Sequence, residues 1–407
     1  MYDAHDGAAG KQPFYNMKKI VLFVHQGAEL YGSDKVLLNL AAGLNDTPFQ
    51  AVVLLPFDGP LVAELRRVGV ETHIVPVTKV SRALFSIKGL LTLPFELIRA
   101  VRAISRVMAG RKVAVVHSNT LAVLSGAVWA KFHRVPHLWH VHEILMKPTL
   151  IRRGFPLLVR LLADKAVSNS SLTTRWLVDE QAGLATRTVT IWNGISRAVP
   201  QDAAGTAQLR AEVVDGVRPR LIAALVGRIN HWKGHLLLVE AAGLLWQRGY
   251  RDIRFLVVGS IFAQQEHFLD QLKAAIAESP ARDSFVLRGF TESIWDVWDA
   301  CDIALVPSTE PEPFGMVAIE AMCAGKPLVA AAHGGLLDIV DDGVSGLLVT
   351  PRDAASLADA IARLIDDPAL RQRMGRAGSE RQAQLFSLES QVAKTVDLYR
   401  QMLTPAS

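Results

Sequence analysis

The stretch ALVPSTEPEPFGMVAIEAMCAGKPLVAA, residues 304–331, contains a complete strand–loop–helix–strand unit. Its first apolar run ends at Pro307 and is typical of a buried strand. A polar loop follows, Gly315 begins a helical pattern, and a second apolar run starts at Pro327. Strands that alternate with helices in this way form parallel sheets with helices on both faces. The stretch therefore predicts an α/β fold.

The same alternation of strand and helix runs along the chain in two series. We predict strands in the first half at Ile20–His25, Ala51–Leu55, Glu71–Val75, Val113–His117, His137–His142, Lys165–Asn169 and Thr188–Ile191. We predict strands in the second half at Leu221–Val226, Arg254–Val258, Ser284–Leu287, Ile303–Val306, Pro327–Ala331 and Gly346–Val349. Helical patterns lie between most of them, for example at Lys35–Leu44, Leu90–Met108 and Leu236–Arg248. Two such series in 407 residues predict two Rossmann-like domains.

The bounds of the predicted domains follow from this pattern. We expect a disordered leader at residues 1–16, a first domain at 17–200, a second at 201–387 and a final helix within 388–407. The polar stretch 196–220 contains scattered Gly, Pro and Asp. We interpret that stretch as the interdomain linker and a surface segment.

The composition is typical of a packed globular protein in a reducing compartment. Hydrophobic residues make up 50% of the chain and charged residues 20%, so we exclude a disordered chain. The 2 cysteines, Cys301 and Cys323, could not stabilise a chain of this size, so we predict a cytoplasmic location. The longest apolar candidate, Leu84–Ile98, is interrupted by charges and a proline. We therefore predict no transmembrane helix.

Positive charge is concentrated in the first half of the chain. Residues 1–200 carry 24 Lys and Arg against 13 Asp and Glu, whereas residues 201–407 carry 20 against 26. Two basic segments, Lys79–Lys112 and Lys147–Arg160, also contain many apolar residues. We interpret them as a peripheral surface for anionic lipid headgroups, at the inner face of the plasma membrane. A basic solvated helix face is the alternative. The segments lack aromatic interleaving and a recognition helix, so we expect no nucleic-acid partner.

Two carboxylates follow the strand that ends at Pro307. Glu312 lies in the loop, and Glu320 lies in the second turn of the helix that Gly315 begins. A glycine at a helix start lets a ligand approach the backbone, whose free N–H groups favour an anion. Glu320 lies among apolar residues, and ligand hydroxyls would supply the partners that its carboxylate needs. The alternative is a solvated loop Glu and a helix Glu paired with a neighbouring base.

Two cations follow an earlier strand of the second series. In LIAALVGRINHWKGH, residues 221–235, the strand ends at Gly227, and Arg228 and Lys233 bracket a polar turn before a helix. A guanidinium fork and an ammonium group suit a diphosphate, although ordinary surface charge is the alternative. The pattern is neither a Walker loop nor GxGxxG, which argues against nucleotide hydrolysis and dinucleotide binding.

The loop after the first strand is weaker evidence for a ligand-binding site. Gly27 and Gly32 flank it, and Ser33 or Asp34 caps the helix that follows. Such a loop, facing a cleft, would pack against a phosphate or another part of a bound ligand.

A group of histidines follows in the first half. His140 and His142 share one strand face, but no third ligand completes a zinc site, so we expect no metal. We interpret His142, beside Glu143 at the strand end, as a cleft residue that hydrogen-bonds substrate. A satisfied structural histidine is the alternative.

These motifs together resemble the family 4 retaining glycosyltransferases of the GT-B fold, from Met17 to about Met402. The most specific element is E-x7-E, Glu312 to Glu320, within PSTEPEPFGMVAIEAMCAGKPLV. GR-x4-KG at Gly227–Gly234 matches the family's phosphate motif. Further matches are WNGI at Trp192–Ile195, SNSS at Ser168–Ser171, and HGGLLDIVDDGVSGLLV at His333–Val349, in which Asp338 stands where many members have Glu.

The resemblance implies a GT-B fold, in which two parallel sheets face each other across a deep cleft and the final helix crosses back to the first domain. It implies that Arg228 and Lys233 hold the donor diphosphate and stabilise the leaving group. Glu312, selected over Glu310 by its spacing, would contact the donor sugar, and Glu320 would contact the ribose.

The resemblance also implies the remaining contacts. His142 matches the cleft histidine of the first domain, with His140 as the alternative. The other candidates for donor binding are Gly32, Gly227, Arg288, Gly289, Phe290, Phe314, Gly315, Met316 and Val317. Among these, residues 288–290 lie where the family seats the base, and backbone N–H groups of residues 314–317 would contact sugar or phosphate.

The implied activity is a metal-independent, retaining hexosyl transfer from a nucleotide-diphosphate donor, with no cofactor. The acceptor would be a saccharide or polyprenyl-linked molecule of cell-surface polysaccharide biosynthesis. Two alternatives are a non-catalytic sugar-nucleotide-binding partner of a polysaccharide-assembly complex and a nucleotide-sugar epimerase of the same fold. The motifs do not identify the sugar, the base or the acceptor.

Overall fold

The computed structural model describes residues 18–80, 87–197, 202–214, 221–261, 264–291 and 293–404. In this part of the chain the strands form two sheets whose neighbouring strands all run parallel. The leader predicted at residues 1–16 lies outside the described residues. No helix in the described part is both long enough and apolar enough to cross a bilayer.

The first sheet has seven described strands in the order β3-β2-β1-β4-β5-β6-β7. Its strands are β1 (Lys19–His25), β2 (Phe49–Leu55), β3 (Glu71–Ile74), β4 (Val113–Asn119), β5 (His137–Val141), β6 (Lys165–Ser168) and β7 (Thr188–Thr190). The helices of this half are α1 (Gly32–Gly43), α2 (Pro60–Arg67), α3 (Ile87–Val107), α4 (Ser125–His133), α5 (Thr149–Leu162) and α6 (Ser171–Glu180). The central strands β1, β4 and β5 are almost wholly buried, because helices cover both faces of the sheet.

The second sheet has six described strands in the order β10-β9-β8-β11-β12-β13. Its strands are β8 (Leu221–Val226), β9 (Ile253–Val258), β10 (Phe285–Arg288), β11 (Ile303–Val306), β12 (Leu328–Ala331) and β13 (Gly346–Val349). The helices of this half are α7 (Ala203–Val214), α8 (His235–Gln247), α9 (His267–Glu278), α10 (Ile294–Ala300), α11 (Met316–Cys323), α12 (Leu336–Ile339), α13 (Ala354–Asp366), α14 (Pro368–Leu385) and α15 (Leu388–Leu403).

Every strand predicted from the sequence is confirmed to within two residues at either end. One interpretation is wrong: the stretch 196–220 is not only a linker and surface segment, because it contains helix α7. Leu209 and Val213 of α7 are buried in the same core cluster as Trp298. Only these two residues of α7 are buried, so its sequence shows little helical periodicity. The predicted domain bounds stay a prediction.

Helix α15 follows the second sheet in sequence but packs on the first. Its Val392, Val396 and Tyr399 belong to the core cluster that contains Leu37 and Leu40 of α1. The hydroxyl of the buried Tyr399 lies 2.6 Å from Nδ1 of His117 on β4. The C-terminal helix therefore ties the two halves of the chain together through the first core.

Asp338 of α12 forms a second connection between the halves. Its carboxylate accepts hydrogen bonds from the backbone N–H of Ser171 at 2.7 Å and from the indole N–H of Trp192 at 3.2 Å. The hydroxyl of Ser171 donates to the same carboxylate at 2.5 Å. Because Ser171 begins α6, the carboxylate lies at the positive end of that helix. The residue that departs from the family pattern thus holds the two sheets in their relative positions.

We expect Tyr399→Phe to lower the free energy of unfolding by about 1–3 kcal/mol, because it removes the hydrogen-bond partner of the buried His117. Urea unfolding followed by circular dichroism measures this change. Tyr250→Phe is the matched control, since Tyr250 bonds the exposed Asp366 at 2.6 Å. The control should change stability by less than about 0.5 kcal/mol. Wild-type stability of the Tyr399 variant would contradict the role of this contact.

Candidate active site

The loops that follow β8 and β11 meet at the carboxyl edge of the second sheet. Gly234 has φ +83°, and a Cβ there would lie 2.0 Å from the carbonyl oxygen of Pro307. The backbone N–H of Thr309 donates to the carbonyl of Trp232 at 2.7 Å. Only glycine fits this approach, so the glycine of the phosphate motif brings the two sequence motifs into contact.

The meeting of the two loops places Lys233 against Glu312. The ammonium Nζ donates to Oε1 of Glu312 at 2.7 Å, and the hydroxyl of Ser308 donates to the same oxygen at 2.5 Å. Asn230 orients the loop, because its Oδ1 accepts from the backbone N–H groups of Trp232 and Lys233. The side chain of Glu312 is 5% exposed and that of Lys233 15%, so each charge depends on the other for compensation.

A loop with two glycines supports Glu312 from behind. The N–H of Gly335 donates to the carbonyl of Glu312 at 2.7 Å, and a Cβ on Gly334 would lie 2.4 Å from that carbonyl oxygen. Nε2 of His333 donates to the carbonyl of Ser308 at 2.8 Å. Ser308 and the His333–Gly335 loop were not among the predicted site residues, although the HGG motif was visible in the sequence.

Helix α11 directs its amino end at the same edge. Its N-cap Gly315 has φ +124°, and a Cβ there would lie 2.8 Å from Leu336. Met316 and Val317 form the first turn, where N–H groups have no partner within the helix. The side chain of Phe314 is buried in the core, so only its backbone is available to a ligand.

Glu320 lies one turn further along α11. Burial raises the pKa of its carboxyl, and Lys35, the indole of Trp298 and Lys233 counteract the rise. Lys35 belongs to α1 of the first half, so Glu320 lies where the two halves face each other.

The other predicted cation also faces the first half. The guanidinium carbon of Arg228 lies 5.4 Å from the centre of the Tyr31 ring, and burial lowers the pKa of Arg228. Tyr31 directly precedes Gly32, and a Cβ on Gly32 would meet no described protein atom within 4 Å. The protein therefore does not itself require glycine at position 32.

A cavity of about 380 Å³ opens beyond β9 and β10. Its lining contains the predicted Arg288, Gly289 and Phe290. It also contains Gln208 and Glu212 of α7, which were not predicted because the sequence pattern does not indicate that helix. Arg288 donates to Glu212 at 2.5 Å, and the side chain of Phe290 is exposed.

The cavity lies beside the loop that carries the cations. The N–H of Gly227 donates to the backbone carbonyl of Val258 at the end of β9. The N–H of Gly259 donates to the backbone carbonyl of Arg288 at the end of β10. Neighbouring strands are about 4.8 Å apart, so residues 288–290 at the end of β10, two strands from β8, lie roughly 10 Å from the loop after β8.

The histidines of the first half occupy different depths. His140 is 1% exposed, and its Nδ1 lies 3.2 Å from Nε2 of His117. His142 follows β5, is 8% exposed and contacts Oδ1 of Asn119 through Nε2 at 2.9 Å. Burial lowers the pKa of both imidazoles, so both are neutral. Of the two candidates, His142 is the more exposed and is the one that lies beyond the strand end.

Neither histidine belongs to a recognisable metal site. In the described ranges, no three His, Cys, Asp or Glu side chains are grouped to hold a metal ion. The metal-free reaction stays a prediction.

The rejected candidate Glu310 is exposed and lies 3.9 Å from Arg352.

Sequence comparison identifies the family. The profile for glycosyl transferases group 1 matches residues 216–381, and that for a glycosyl transferase 4-like domain matches residues 32–194. The chain is 32% identical over 302 residues to 2-deoxystreptamine glucosyltransferase of Streptomyces kanamyceticus, which covers 69% of this chain and 75% of that protein. This chain belongs to the group 1 glycosyltransferases.

Further comparisons bear on relatives and on fold. The glycosyltransferase is 35% identical over 245 residues to D-inositol 3-phosphate glycosyltransferase of Geodermatophilus obscurus, covering 58% of this chain and 52% of that protein. The crystal structure of Anabaena Alr3699/HepE in complex with UDP and glucose is similar with a TM-score of 0.80 and 23% identity, covering 94% of this chain and 100% of that one. The predicted GT-B fold and family are confirmed.

We expect Lys233→Met and Glu312→Gln each to lower the free energy of unfolding, because each leaves a buried polar partner uncompensated. The double variant should cost less than the sum, with a coupling energy of at least about 1 kcal/mol. Urea unfolding of the four proteins without ligand measures the cycle. The exposed Arg248–Asp359 pair, at 2.6 Å, is the control and should show weaker coupling. Additive effects at Lys233 and Glu312 would contradict the ion pair.

Proposed function

We propose that this glycosyltransferase transfers a hexose-type sugar from a nucleotide-diphosphate donor, with retention of configuration and without a metal. The proposed acceptor is a saccharide or lipid-linked molecule of cell-surface polysaccharide biosynthesis. The observation that carries the proposal is the contact between Lys233 and Glu312 at 2.7 Å, beside the amino end of α11. One crevice thus contains a cation for phosphate, a carboxylate for sugar hydroxyls and a helix end for an anion.

The geometry of the crevice supports a specific placement of the donor. Arg228, Lys233 and the first turn of α11 contact the diphosphate. Glu312 accepts hydrogen bonds from the sugar hydroxyls, and Glu320 accepts them from the ribose. The base occupies the cavity at residues 288–290, since roughly 10 Å separates that cavity from the diphosphate site.

Charge development explains what these residues do in the reaction. The bond between the anomeric carbon and the diphosphate oxygen breaks, and negative charge accumulates on the departing diphosphate. Arg228, Lys233 and the dipole of α11 stabilise that charge. The acceptor oxygen attacks the same face of the sugar, and a phosphate oxygen of the leaving group takes the acceptor proton.

The carboxylates near His142 support a reaction without an enzyme nucleophile. Glu143 accepts hydrogen bonds from the backbone N–H groups of Leu121 at 3.2 Å and His142 at 3.3 Å. Asp34 is paired with His25 at 2.6 Å. Both carboxylates are thus engaged in holding loops of the first half.

Two relatives support a sugar donor, since one is named 2-deoxystreptamine glucosyltransferase and another D-inositol 3-phosphate glycosyltransferase. The complex of Anabaena HepE with UDP and glucose supports a uridine diphosphate donor. The epimerase alternative needs no acceptor, and the non-catalytic alternative binds donor without turnover, so a transfer assay separates both from the proposal.

We expect Lys233→Ala and Glu320→Ala each to lower transfer at least about 100-fold with an unchanged circular dichroism spectrum, because each removes a donor contact that stabilises the transition state. A thermal-shift panel of UDP-, GDP- and ADP-sugars selects the donor, and transfer to a saccharide acceptor is then measured. Lys273→Ala and Glu278→Ala, on exposed positions of α9, are matched controls with wild-type transfer. Near-normal transfer by either site variant would refute the assignment.

We also propose that the first half contacts an anionic membrane surface. Helix α3 exposes Leu91, Phe95 and Ile98, with Arg99 and Arg102 beside them. Leu93 and Leu97 of α3 pack against the core cluster that contains Phe155 and Val159 of α5. Helix α5 adds three further exposed leucines, Leu150, Leu157 and Leu161. Exposed apolar side chains between basic ones suit an anionic bilayer surface.

We expect the protein to pellet with phosphatidylglycerol vesicles at low salt and to be released at high salt, since the attraction is screened. Phe95→Ser should weaken pelleting several-fold, because it removes apolar area that the bilayer would bury on binding. Val344→Ser, at an exposed position of the second half, is the control. Complete recovery of wild type in the supernatant at low salt would defeat the membrane proposal.

A further inference from the structure

A buried chain of hydrogen bonds connects the loop after β1 to His142. It runs from Asp34 through His25 and Asn119 to His142, and all four residues are less than 9% exposed. His25 and Asn119 are the last residues of β1 and β4, His142 directly follows β5, and Asp34 lies on α1. The direction of the hydrogen bond between Asn119 and His142 can be worked out from groups that only accept.

The first group that only accepts is the carboxylate of Asp34. Its Oδ2 accepts from the backbone N–H of Tyr31 at 2.9 Å, and its Oδ1 lies 2.6 Å from Nε2 of His25. An ionised carboxylate has no hydrogen to donate, so Nε2 of His25 carries one. Nδ1 of His25 lies 3.1 Å from both the backbone carbonyl and the side-chain Nδ2 of Asn119, so this nitrogen alone does not decide which way the Asn119 amide points.

A second acceptor fixes the amide of Asn119. Its Nδ2 lies 3.4 Å from the carbonyl oxygen of Ser33, which also has no hydrogen to donate. With the NH₂ group held toward the carbonyl of Ser33, the amide oxygen points the other way. That oxygen lies 2.9 Å from Nε2 of His142. Because the amide oxygen only accepts, Nε2 of His142 is the nitrogen that carries hydrogen.

Nδ1 of His142 is consequently the nitrogen with a lone pair. Burial, reinforced by the neighbouring His140 and His25, lowers the pKa of His142 and keeps the ring neutral. Among the described residues, none forms a hydrogen bond with Nδ1 of His142. A lone pair at that position accepts a hydrogen bond from a hydroxyl and repels a carboxylate or phosphate oxygen.

We propose that Asn119 is a positioning residue that fixes His142 as the Nε2–H tautomer, so that Nδ1 accepts a hydrogen bond from a substrate hydroxyl. The contact with substrate rests on the proposed function. The tautomer itself rests only on the hydrogen bonds of the free protein. The carbonyl of Ser33 holds the amide of Asn119 in the required orientation, which couples the loop containing Gly32 to His142.

The tautomer is measurable by long-range ¹H–¹⁵N NMR of the full chain labelled with ¹⁵N-histidine at neutral pH. The resonances of His142 are assigned by their loss in His142→Gln. His137 provides an internal reference of the opposite kind, because its Nδ1 faces the carbonyl of Leu162 at 3.0 Å and its Nε2 faces the hydroxyl of Ser118 at 2.9 Å. His137 should therefore appear as the Nδ1–H tautomer in every variant.

We expect wild-type His142 to be the Nε2–H tautomer and Asn119→Leu to lose this preference. Asn119→Asp should retain it, because a carboxylate oxygen in the same place still accepts from Nε2–H. An Nδ1–H wild-type ring, or an unchanged His142 in Asn119→Leu, would overturn the proposal. If the Leu variant does not fold, an Nδ1–H ring in the Asp variant would also overturn it.

Transfer assays then test the contact with substrate separately. Asn119→Leu should lower kcat/KM roughly tenfold, and Asn119→Asp should restore part of the loss, because one hydrogen bond to the substrate changes strength. Wild-type kcat/KM in a Leu variant that has lost the tautomer preference would overturn the substrate contact. Absence of transfer by the wild type would count against the proposed function and leave the NMR result standing.

Discussion

The ion pair between Lys233 and Glu312 is the contact on which the account of the site depends. It joins two side chains that are 79 positions apart in sequence, at the ends of the adjacent strands β8 and β11. The close approach of Gly234 to Pro307 makes the pair possible, and Ser308 completes the environment of the carboxylate. Neither charge would be stable at this depth without the other, so the pair preserves a cation and a carboxylate in a crevice that a charged donor can enter.

The sequence was sufficient for the fold because most of the parallel strands, such as β1, β2 and β8, are short apolar runs. All predicted strands are confirmed, including the short β11 and β13, since turn residues bound each run. Helix α7 was missed because only two of its residues are buried, which leaves no helical period to detect. Because α7 was not predicted, Gln208 and Glu212, which line the cavity beside Arg288, were not predicted either. A helix that contributes polar residues to a site gives little signal in hydrophobicity.

The residues of the candidate site that belong to family motifs could be predicted from the sequence. The side chains from other parts of the chain that contact them could not. Motif spacing is sufficient to predict Arg228, Lys233, Glu312 and Glu320 as candidate site residues. Spacing says nothing about which side chains meet across the fold, so the supporting roles of Ser308 and His333 were not foreseen. The contact of Arg228 with Tyr31 likewise depends on the relative placement of the two halves. That placement is held by Asp338 and helix α15, far from the site in sequence.

A crystal structure with a bound nucleoside diphosphate would test the central claim most directly. The account predicts the diphosphate between Arg228 and Lys233 at the amino end of α11, with the base in the cavity beside Arg288. Uridine diphosphate, the nucleotide of the proposed donor, is the first ligand to use. A diphosphate bound on another surface, with the contact between Lys233 and Glu312 undisturbed and the crevice empty, would contradict the account.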